Sequence, residues 1–363
     1  METQGYFHTF PAVQGMQAGR HFFIAMCPLR IIPRLFVFDE EEVPPELRAQ
    51  RTLNRARVPE IAQYLVANPS TYVMSALTVS VDSQVKFTSM DPSNPSSLGY
   101  IQIPMGAQIL INDGQHRRAA IEVAIKESPD LGQENVPVLF FIDEGLNRSQ
   151  QMFADLNKYA VRPSYSLSTL YDHRDPGSDL ARYLAGNCLA FKGLVEMEKS
   201  TISNRSTKLF TLSGIKHASR ALLRKNLREA VTEEEKMLAK EYWDAVAESV
   251  GDWIRARTRQ VSTAELRQDY VHAHGVVLHA LGIAGAALLE QFPKSWRTQL
   301  KALKKIDWAR TNVIDWEGRA LLHGRISKAS TNVQLTAIFV KQAIGVKLSE
   351  DEKLLDATRA RSS

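Results

Sequence analysis

The chain has 363 residues, a formal net charge of +5 and an isoelectric point of about 9.1. A chain of this length can form two domains with a sizeable core, and its 44% hydrophobic and 23% charged residues are ordinary for a soluble globular protein. The basic charge permits nucleic-acid binding without requiring it.

The two cysteines, Cys27 and Cys188, lie far apart and match no zinc-site spacing, so we expect buried thiols in a reducing cytosol. The first residues show no basic segment followed by an apolar one, so no signal peptide is predicted. The most apolar run, residues 275–289, is too short for a membrane span and predicts a buried helix. We therefore expect a cytoplasmic protein that does not bind membranes.

The first third of the chain mixes strand and helix signals. Residues 20–38 are apolar and predict β structure. A helix is predicted from near Pro59, a residue favoured in a first turn, to Asn68. Residues 77–81 alternate as a strand should, and residues 85–87 are predicted to pair with them through a short turn.

The next elements continue this mixture. Residues 109–112 predict a strand, and a helix is expected immediately after it, ending at about Glu127. Residues 136–142 predict another buried strand. A further helix is expected to begin near Asn147 and to include Asn157.

After Pro163 the pattern becomes mainly helical. Helices are predicted over residues 230–258, 266–291 and 324–345, each with apolar residues at helical spacing. The tail, residues 349–363, is polar and is expected to fray. The sequence thus predicts an α+β protein with a mixed first part and a helical second part.

The turn between the strand ending at residue 112 and the following helix carries the most informative motif. It consists of Asp113, Gly114, Gln115, His116 and Arg117. Unpaired N–H groups and the positive end of the helix dipole favour an anion at such a place. Two arginines there make a phosphate or a nucleotide the natural ligand, although a plain strand–turn–helix with solvated arginines is the alternative.

The motif residues suit different tasks around a phosphate. Gly114 would allow close approach, and Arg117 would bind phosphate oxygens, because Arg117 and Arg118 must point in different directions on a helix. His116 would donate to phosphate, act as a general acid or base, or only orient the turn.

The two remaining motif residues have polar roles. Gln115 would fix a water molecule or a phosphate oxygen. Asp113 would cap the helix or bind a metal-bridged group.

Three sequence blocks together resemble the DGQHR-domain family, a branch of the ParB/sulfiredoxin-like superfamily, and within it the regulatory proteins of DNA phosphorothioation (Dnd) systems. The first block is residues 50–59, the second is the motif with residues 118–120, and the third is residues 151–158, with the pattern Phe-x-Asp-Leu-Asn. The resemblance covers about residues 20–175.

The resemblance implies a ParB/sulfiredoxin-like mixed-sheet domain over residues 1–165, followed by a mainly helical domain over residues 166–363. It also implies further residues of the same pocket. These are Arg51, Asn54, Arg55, Arg57 and Asn157, together with Asp155 as a metal-side carboxylate or else an exposed helix residue. The resemblance allows, but does not require, a nucleoside triphosphate with Mg²⁺ as a cofactor. Apart from that alternative for Asp155, no residue is assigned as a metal ligand.

Basic residues of the second part are candidates for DNA contacts. Lys216, Arg220 and Arg224 have helical spacing and predict one basic face, which would neutralise phosphates. The other candidates are Arg205, Lys208 and Lys225, with two further clusters at Arg255, Arg257 and Arg259 and at Lys301, Lys304 and Lys305. The alternative for each is a solvated helix face, and no helix-turn-helix pattern is visible.

The sequence leaves two functions open. The first is a DNA-binding repressor of the Dnd modification genes, whose partners would be its own operon promoter, other Dnd proteins and further copies of itself. The second is a ParB-like nucleotide hydrolase or DNA-nicking enzyme, against which stands the lack of a P-loop and of a dense carboxylate cluster. A sulfiredoxin-like redox enzyme is disfavoured because neither cysteine lies near the motif.

Overall fold

The computed structural model describes residues 6–36, 56–91, 93, 96–142, 151–152, 155–156, 163–203 and 205–362. The chain divides into two compact units, residues 1–161 and residues 162–363. The architecture is α+β, as predicted, because the first unit contains a mixed sheet and the second is mainly helical.

One sheet organises the first unit. Its strands are β1 (Phe7–Gln17), β2 (Arg20–Pro28), β3 (Leu77–Val81), β4 (Lys86–Ser89), β5 (Leu98–Pro104), β6 (Ile109–Asp113) and β7 (Asn135–Ile142). Their spatial order is β4-β5-β1-β2-β7-β3-β6, and all neighbours are antiparallel except β3 and β7. Every residue of β3 is buried, so this strand is covered on both faces.

Three α-helices that the structure describes from end to end accompany the sheet in the first unit. They are α1 (Ile32–Leu35), α2 (Arg57–Ala67) and α3 (Gln115–Glu127). The helix predicted near Pro59 begins at Arg57 and ends before Asn68, and the helix after the motif ends at Glu127, as predicted. Helices α2 and α3 pack against each other, and Leu65 and Ile121 are fully buried in the core beneath them.

Two predictions for the first unit are wrong. Residues 85–87 do not pair with β3, because β4 pairs with β5 and both neighbours of β3 are other strands. Leu35 is not in a strand but ends the short helix α1, in which Pro33 occupies a favourable first-turn position.

The second unit contains many helices and short strand pairs. Its elements are α4 (Tyr165–Tyr171), α5 (Pro176–Asn187), β8 (Val195–Glu196), β9 (Phe210–Thr211), α6 (Leu212–Leu223), α7 (Glu233–Val250), α8 (Asp252–Arg257), α9 (Thr263–Asp269), α10 (Gly275–Gln291), α11 (Trp296–Leu300), α12 (Val313–Trp316), β10 (Leu321–Leu322), β11 (Arg325–Ile326), α13 (Ser330–Ala343) and α14 (Glu350–Ser362). None of the helices in the described part of the chain combines the length and apolar content needed to cross a membrane.

The three long predicted helices of this unit are each shorter than expected. Gly251, with φ of 76°, separates α7 from α8. An extended Tyr270, bridged to Ala309, separates α9 from α10. The last predicted helix begins at Ser330 rather than near residue 324, because a small strand pair precedes it.

Tryptophans form much of the core of the second unit. Trp243, Trp253 and Trp316 are fully buried. Both cysteines, Cys27 and Cys188, are free and buried, which confirms that prediction. Burial raises the pKa of the Cys27 thiol to about 12, so this thiol stays protonated and unreactive at neutral pH.

Candidate functional site

The motif lies where the fold needs a glycine. Gly114 precedes the first residue of α3 and has φ of 109°, a conformation that side chains rarely adopt. A Cβ atom at this position would lie 2.4 Å from Cδ2 of Leu77, in the neighbouring strand β3. The glycine therefore gives both the left-handed turn and the close packing of the turn on the sheet.

Arg117 holds this turn to the beginning of β3. Its guanidinium donates to the carbonyl of Ser75 at 2.7 Å, to the hydroxyl of Ser75 at 2.5 Å and to the carbonyl of Ala76 at 2.6 Å. It also pairs with the Asp113 carboxylate at 2.7 Å. The helix has no side-chain cap, so the predicted capping role of Asp113 is wrong; its carboxylate turns to Arg117 instead.

Arg118 points away from the turn, as the helical spacing predicted. It donates to the carbonyls of Pro33 at 2.9 Å and of Phe36 at 3.1 Å and pairs with Glu122 at 2.8 Å. Lys126 and Arg118 hold the pKa of Glu122 below its ordinary value. Arg118 thus joins α3 to the end of α1 rather than serving the turn.

A cavity of about 400 Å³ opens beside the motif, within the first unit. Its walls are Arg57, Ile61 and Tyr64 of α2, the segment Val73, Met74 and Ser75, and the motif residues Asp113, Gly114, His116 and Arg117. Arg57, which only the family resemblance placed here, is exposed at the first residue of α2. Its guanidinium has no bonded partner among the described residues.

The motif divides between this cavity and the sheet. His116 lines the cavity, whereas Gln115 is not among the lining residues and its amide donates to the carbonyl of Ile111 at 3.3 Å. Gln115 therefore binds back to its own strand instead of facing the cavity. Sequence reasoning gave no role to Ser75, whose only signal is its place two residues before a buried strand.

The remaining residues predicted for this site are not among the described residues that line the cavity. Arg51, Asn54, Arg55 and Asn157 lie outside the described residues. Asp155 is described, and its carboxylate accepts a hydrogen bond of 2.8 Å from Gln151. No group of three or more His, Cys, Asp or Glu side chains suited to a metal ion occurs among the described residues.

The cavity beside the motif suits a small anion. The uncapped first turn of α3 supplies N–H groups and a positive dipole end, and Arg57 supplies a cation at its rim. Arg117 adds less charge than the sequence suggested, because Asp113 already neutralises it. This arrangement can hold a phosphate oxygen by backbone and side-chain donors.

The basic face predicted in the second unit holds for Lys216 and Arg220, which lie on α6, but is wrong for Arg224. Lys216 pairs with Asp175 at 2.5 Å, and Arg224 lies beyond the end of α6 with φ of 52° and pairs with Glu290. Arg220 donates to the backbone carbonyl of Lys225 at 3.2 Å. Carboxylates from elsewhere in the unit thus neutralise most of this face.

The lysines of this region are held in ion pairs with carboxylates. Lys225 pairs with Glu235 at 2.8 Å and with Glu229 at 3.4 Å. Burial alone would raise the pKa of Asp175, yet Lys216 and the hydroxyl of Ser178 hold this pKa below its ordinary value. DNA contact by these lysines stays a prediction that would need the ion pairs to open.

A second group of cations has no ion pair with a carboxylate among the described residues. Lys208, Arg257 and Arg259 line an open cleft of about 800 Å³, which we call the basic cleft, and Glu265 also lines it. The guanidinium groups of the two arginines have no bonded partner in the described chain, and the ammonium of Lys208 donates to the carbonyl of Gly193 at 2.9 Å. Arg205, three residues before Lys208, is exposed and also without a partner in the described chain.

Comparison with known protein families shows a relationship over most of the chain. The family model named DndB and described as DNA-sulfur modification-associated matches residues 10–347. No curated protein and no solved structure matches the chain. The match confirms the predicted relationship to DNA phosphorothioation systems, while the ParB/sulfiredoxin-like placement of the first unit stays a prediction.

Proposed function

Because that match spans most of the chain, the protein belongs to the DndB family of DNA-sulfur modification-associated proteins, and from this premise we propose that it is a DNA-binding repressor of the modification genes. It acts in the cytoplasm on the promoter of its own operon. Its other partners are proteins of the same modification system and further copies of the chain.

The observation that carries this proposal is the basic cleft. Phosphate contacts need cations that are not already neutralised, because each contact draws its free energy from the release of counterions. Lys208, Arg257 and Arg259 meet that condition, unlike Lys216 and Lys225. Arg205 and the hydroxyl groups of Thr207 and Ser262 at the cleft add donors for the phosphate backbone.

The motif cavity has a separate part in this proposal. Its small size and Arg57, its one unpaired cation among the described residues, suit one phosphate group rather than a length of DNA. A nucleotide hydrolase is the second candidate function, favoured by the presence of His116 beside the uncapped turn of α3. A hydrolase would turn over nucleotide, whereas a repressor needs no such turnover.

The test is a salt-titrated binding assay by fluorescence anisotropy. It compares the upstream DNA of the operon with unrelated DNA of equal length, and wild type with Arg257→Ala/Arg259→Ala. We expect weaker binding by the variant and a salt slope smaller in magnitude by roughly 2, one unit for each lost contact. The control is Lys294→Ala/Lys347→Ala, which removes two charges from exposed positions of the same unit.

The same samples are followed for nucleoside triphosphate hydrolysis and DNA nicking. Operon-preferring binding without turnover, weakened by the cleft variant alone, supports the repressor. Turnover that His116→Ala abolishes, with equal binding of both DNAs, replaces it with the hydrolase. A reporter fused to the operon promoter then measures repression in cells with the wild type and with the cleft variant.

A further inference from the structure

A second cavity, of about 580 Å³, lies within the second unit and is separate from both the motif cavity and the basic cleft. Residues 200–202 and 209–211 and residues of α9 and α10 form much of its walls. Its volume is in the range of sites that enclose a small organic molecule.

Its charged residues are all cations. Arg267, Arg310 and Lys328 line this cavity, and no Asp or Glu is among the lining residues. Arg310 donates to the backbone carbonyls of Gln268 at 3.1 Å and of Gly324 at 3.0 Å, so its charge is not cancelled there. Lys328 makes no hydrogen bond or ion pair within the described chain.

The start of α10 adds donors at the same wall. This helix has 17 residues and begins at Gly275 without a side-chain cap. The N–H groups of its first two residues, Gly275 and Val276, have no intrahelical acceptor, whereas that of Val277 donates to the carbonyl of His274. The helix dipole places positive charge at the same end. The Nζ atom of Lys328 lies 3.9 Å from the position that a Cβ on Gly275 would occupy, so the ammonium and the helix end face one ligand position.

A neighbouring histidine reports the same positive environment. Burial, and then the charges of Arg310 and Lys328, lower the pKa of His274 to about 4. His274 is therefore neutral at pH 7, and its Nε2 atom lies 2.8 Å from the carbonyl oxygen of Arg267.

Apolar residues line the cavity as well. These are Leu209, Phe210 and Leu278. A site that combines cations and helix N–H groups with aromatic and aliphatic residues fits a phosphate group attached to a flat apolar body. We propose that this cavity binds a small organic phosphate of nucleotide size.

The test is isothermal titration calorimetry on the full chain without DNA. The probes are the four ribonucleoside 5′-monophosphates, each alone, and inorganic phosphate. At least one monophosphate is expected to bind more tightly than inorganic phosphate, with one site per chain. Lys328→Ala should weaken this binding about tenfold, as the loss of one charge-assisted contact does, whereas Lys328→Arg should retain most of it.

Two controls decide where the probe binds. Lys294→Ala, an exposed lysine of the same unit, should leave the affinity unchanged, and Arg57→Ala shows whether the motif cavity takes up the probe. Absence of monophosphate binding overturns the proposal. Binding that Lys328→Ala does not weaken, or that Arg57→Ala removes, also overturns it. So does a short DNA duplex that displaces the monophosphate and whose own binding Lys328→Ala weakens to the same extent.

Discussion

The guanidinium of Arg117 donates a hydrogen bond of 2.6 Å to the carbonyl of Ala76, forty-one residues earlier in the chain. This bond and those to Ser75 join the motif turn to the start of β3. The motif arginine is therefore first a structural residue, and any phosphate at the turn meets a guanidinium that is already largely satisfied.

Arg117→Ala should destabilise the protein. The substitution leaves the carbonyls of Ser75 and Ala76 and the Asp113 carboxylate without their donor, which costs about 2 kcal/mol in the free energy of unfolding. Urea denaturation followed by circular dichroism measures it. Arg57→Ala, which removes an exposed arginine from the same cavity, should change that free energy by at most about 0.5 kcal/mol. Equal losses in both variants would contradict the structural role.

Gly114→Ala tests the turn itself. The alanine would need φ near 109° and would place Cβ 2.4 Å from a Leu77 methyl carbon, so we expect a loss of about 3 kcal/mol or more. Gly106→Ala is the matched control, because that glycine has ordinary φ and no atom within 4 Å of the added Cβ. Thermal unfolding compares the two. A Gly114→Ala protein as stable as the control would mean that the turn relaxes without strain.

Local patterns predicted the motif well and the long-range pairing poorly. A glycine between an apolar run and an alanine-rich run specifies strand, turn and helix through neighbouring residues alone, so α3 and its end at Glu127 were predictable. The partner of β4 was not, because strand pairing depends on residues far along the chain, and β5 proved a better neighbour than β3.

Charge patterns show the same limit at the candidate sites. The spacing of Lys216 and Arg220 indicates one helix face but carries no information about Asp175, which neutralises Lys216 from another helix. Conversely, Lys208 and Arg259 lie in different segments, and only the fold brings them to one cleft. Partners for charges are thus decided by tertiary structure, which a single sequence does not reveal.

The buried state of His274 predicts a pH dependence of stability. Its folded pKa of about 4 lies below its ordinary value of 6.5, so the unfolded chain binds the proton first as pH falls. The stabilising contribution is complete above about pH 6.5 and is lost progressively between pH 6.5 and pH 4. Melting temperatures from pH 4 to pH 8 should therefore fall less steeply with acid in His274→Asn than in wild type.

The control for this slope is His173→Asn, since His173 is an exposed histidine of the same unit. That variant should keep the acid dependence of the wild type. An identical dependence in wild type and in His274→Asn would show that other groups govern acid stability.

The cavity of the second unit that we propose to bind a phosphate, called here the phosphate cavity, should be coupled to the basic cleft. This expectation rests on both proposals. Arg267 lines the phosphate cavity and donates to the carbonyls of Ser203 at 3.1 Å, of Ser206 at 2.9 Å and of Lys208. It therefore holds the segment that carries two DNA-binding candidates, Arg205 and Lys208.

A bound phosphate would compete with those carbonyls for the guanidinium, so a saturating monophosphate should weaken DNA binding several-fold. Linkage requires DNA to weaken monophosphate binding by the same factor, which calorimetry with and without DNA measures. Lys328→Ala should shift the effect to about tenfold higher monophosphate concentrations while leaving DNA affinity without monophosphate unchanged. If the monophosphate binds yet DNA affinity stays constant, the cavity is a ligand site without control over the cleft. If DNA affinity falls equally in Lys328→Ala, the monophosphate competes at the cleft itself.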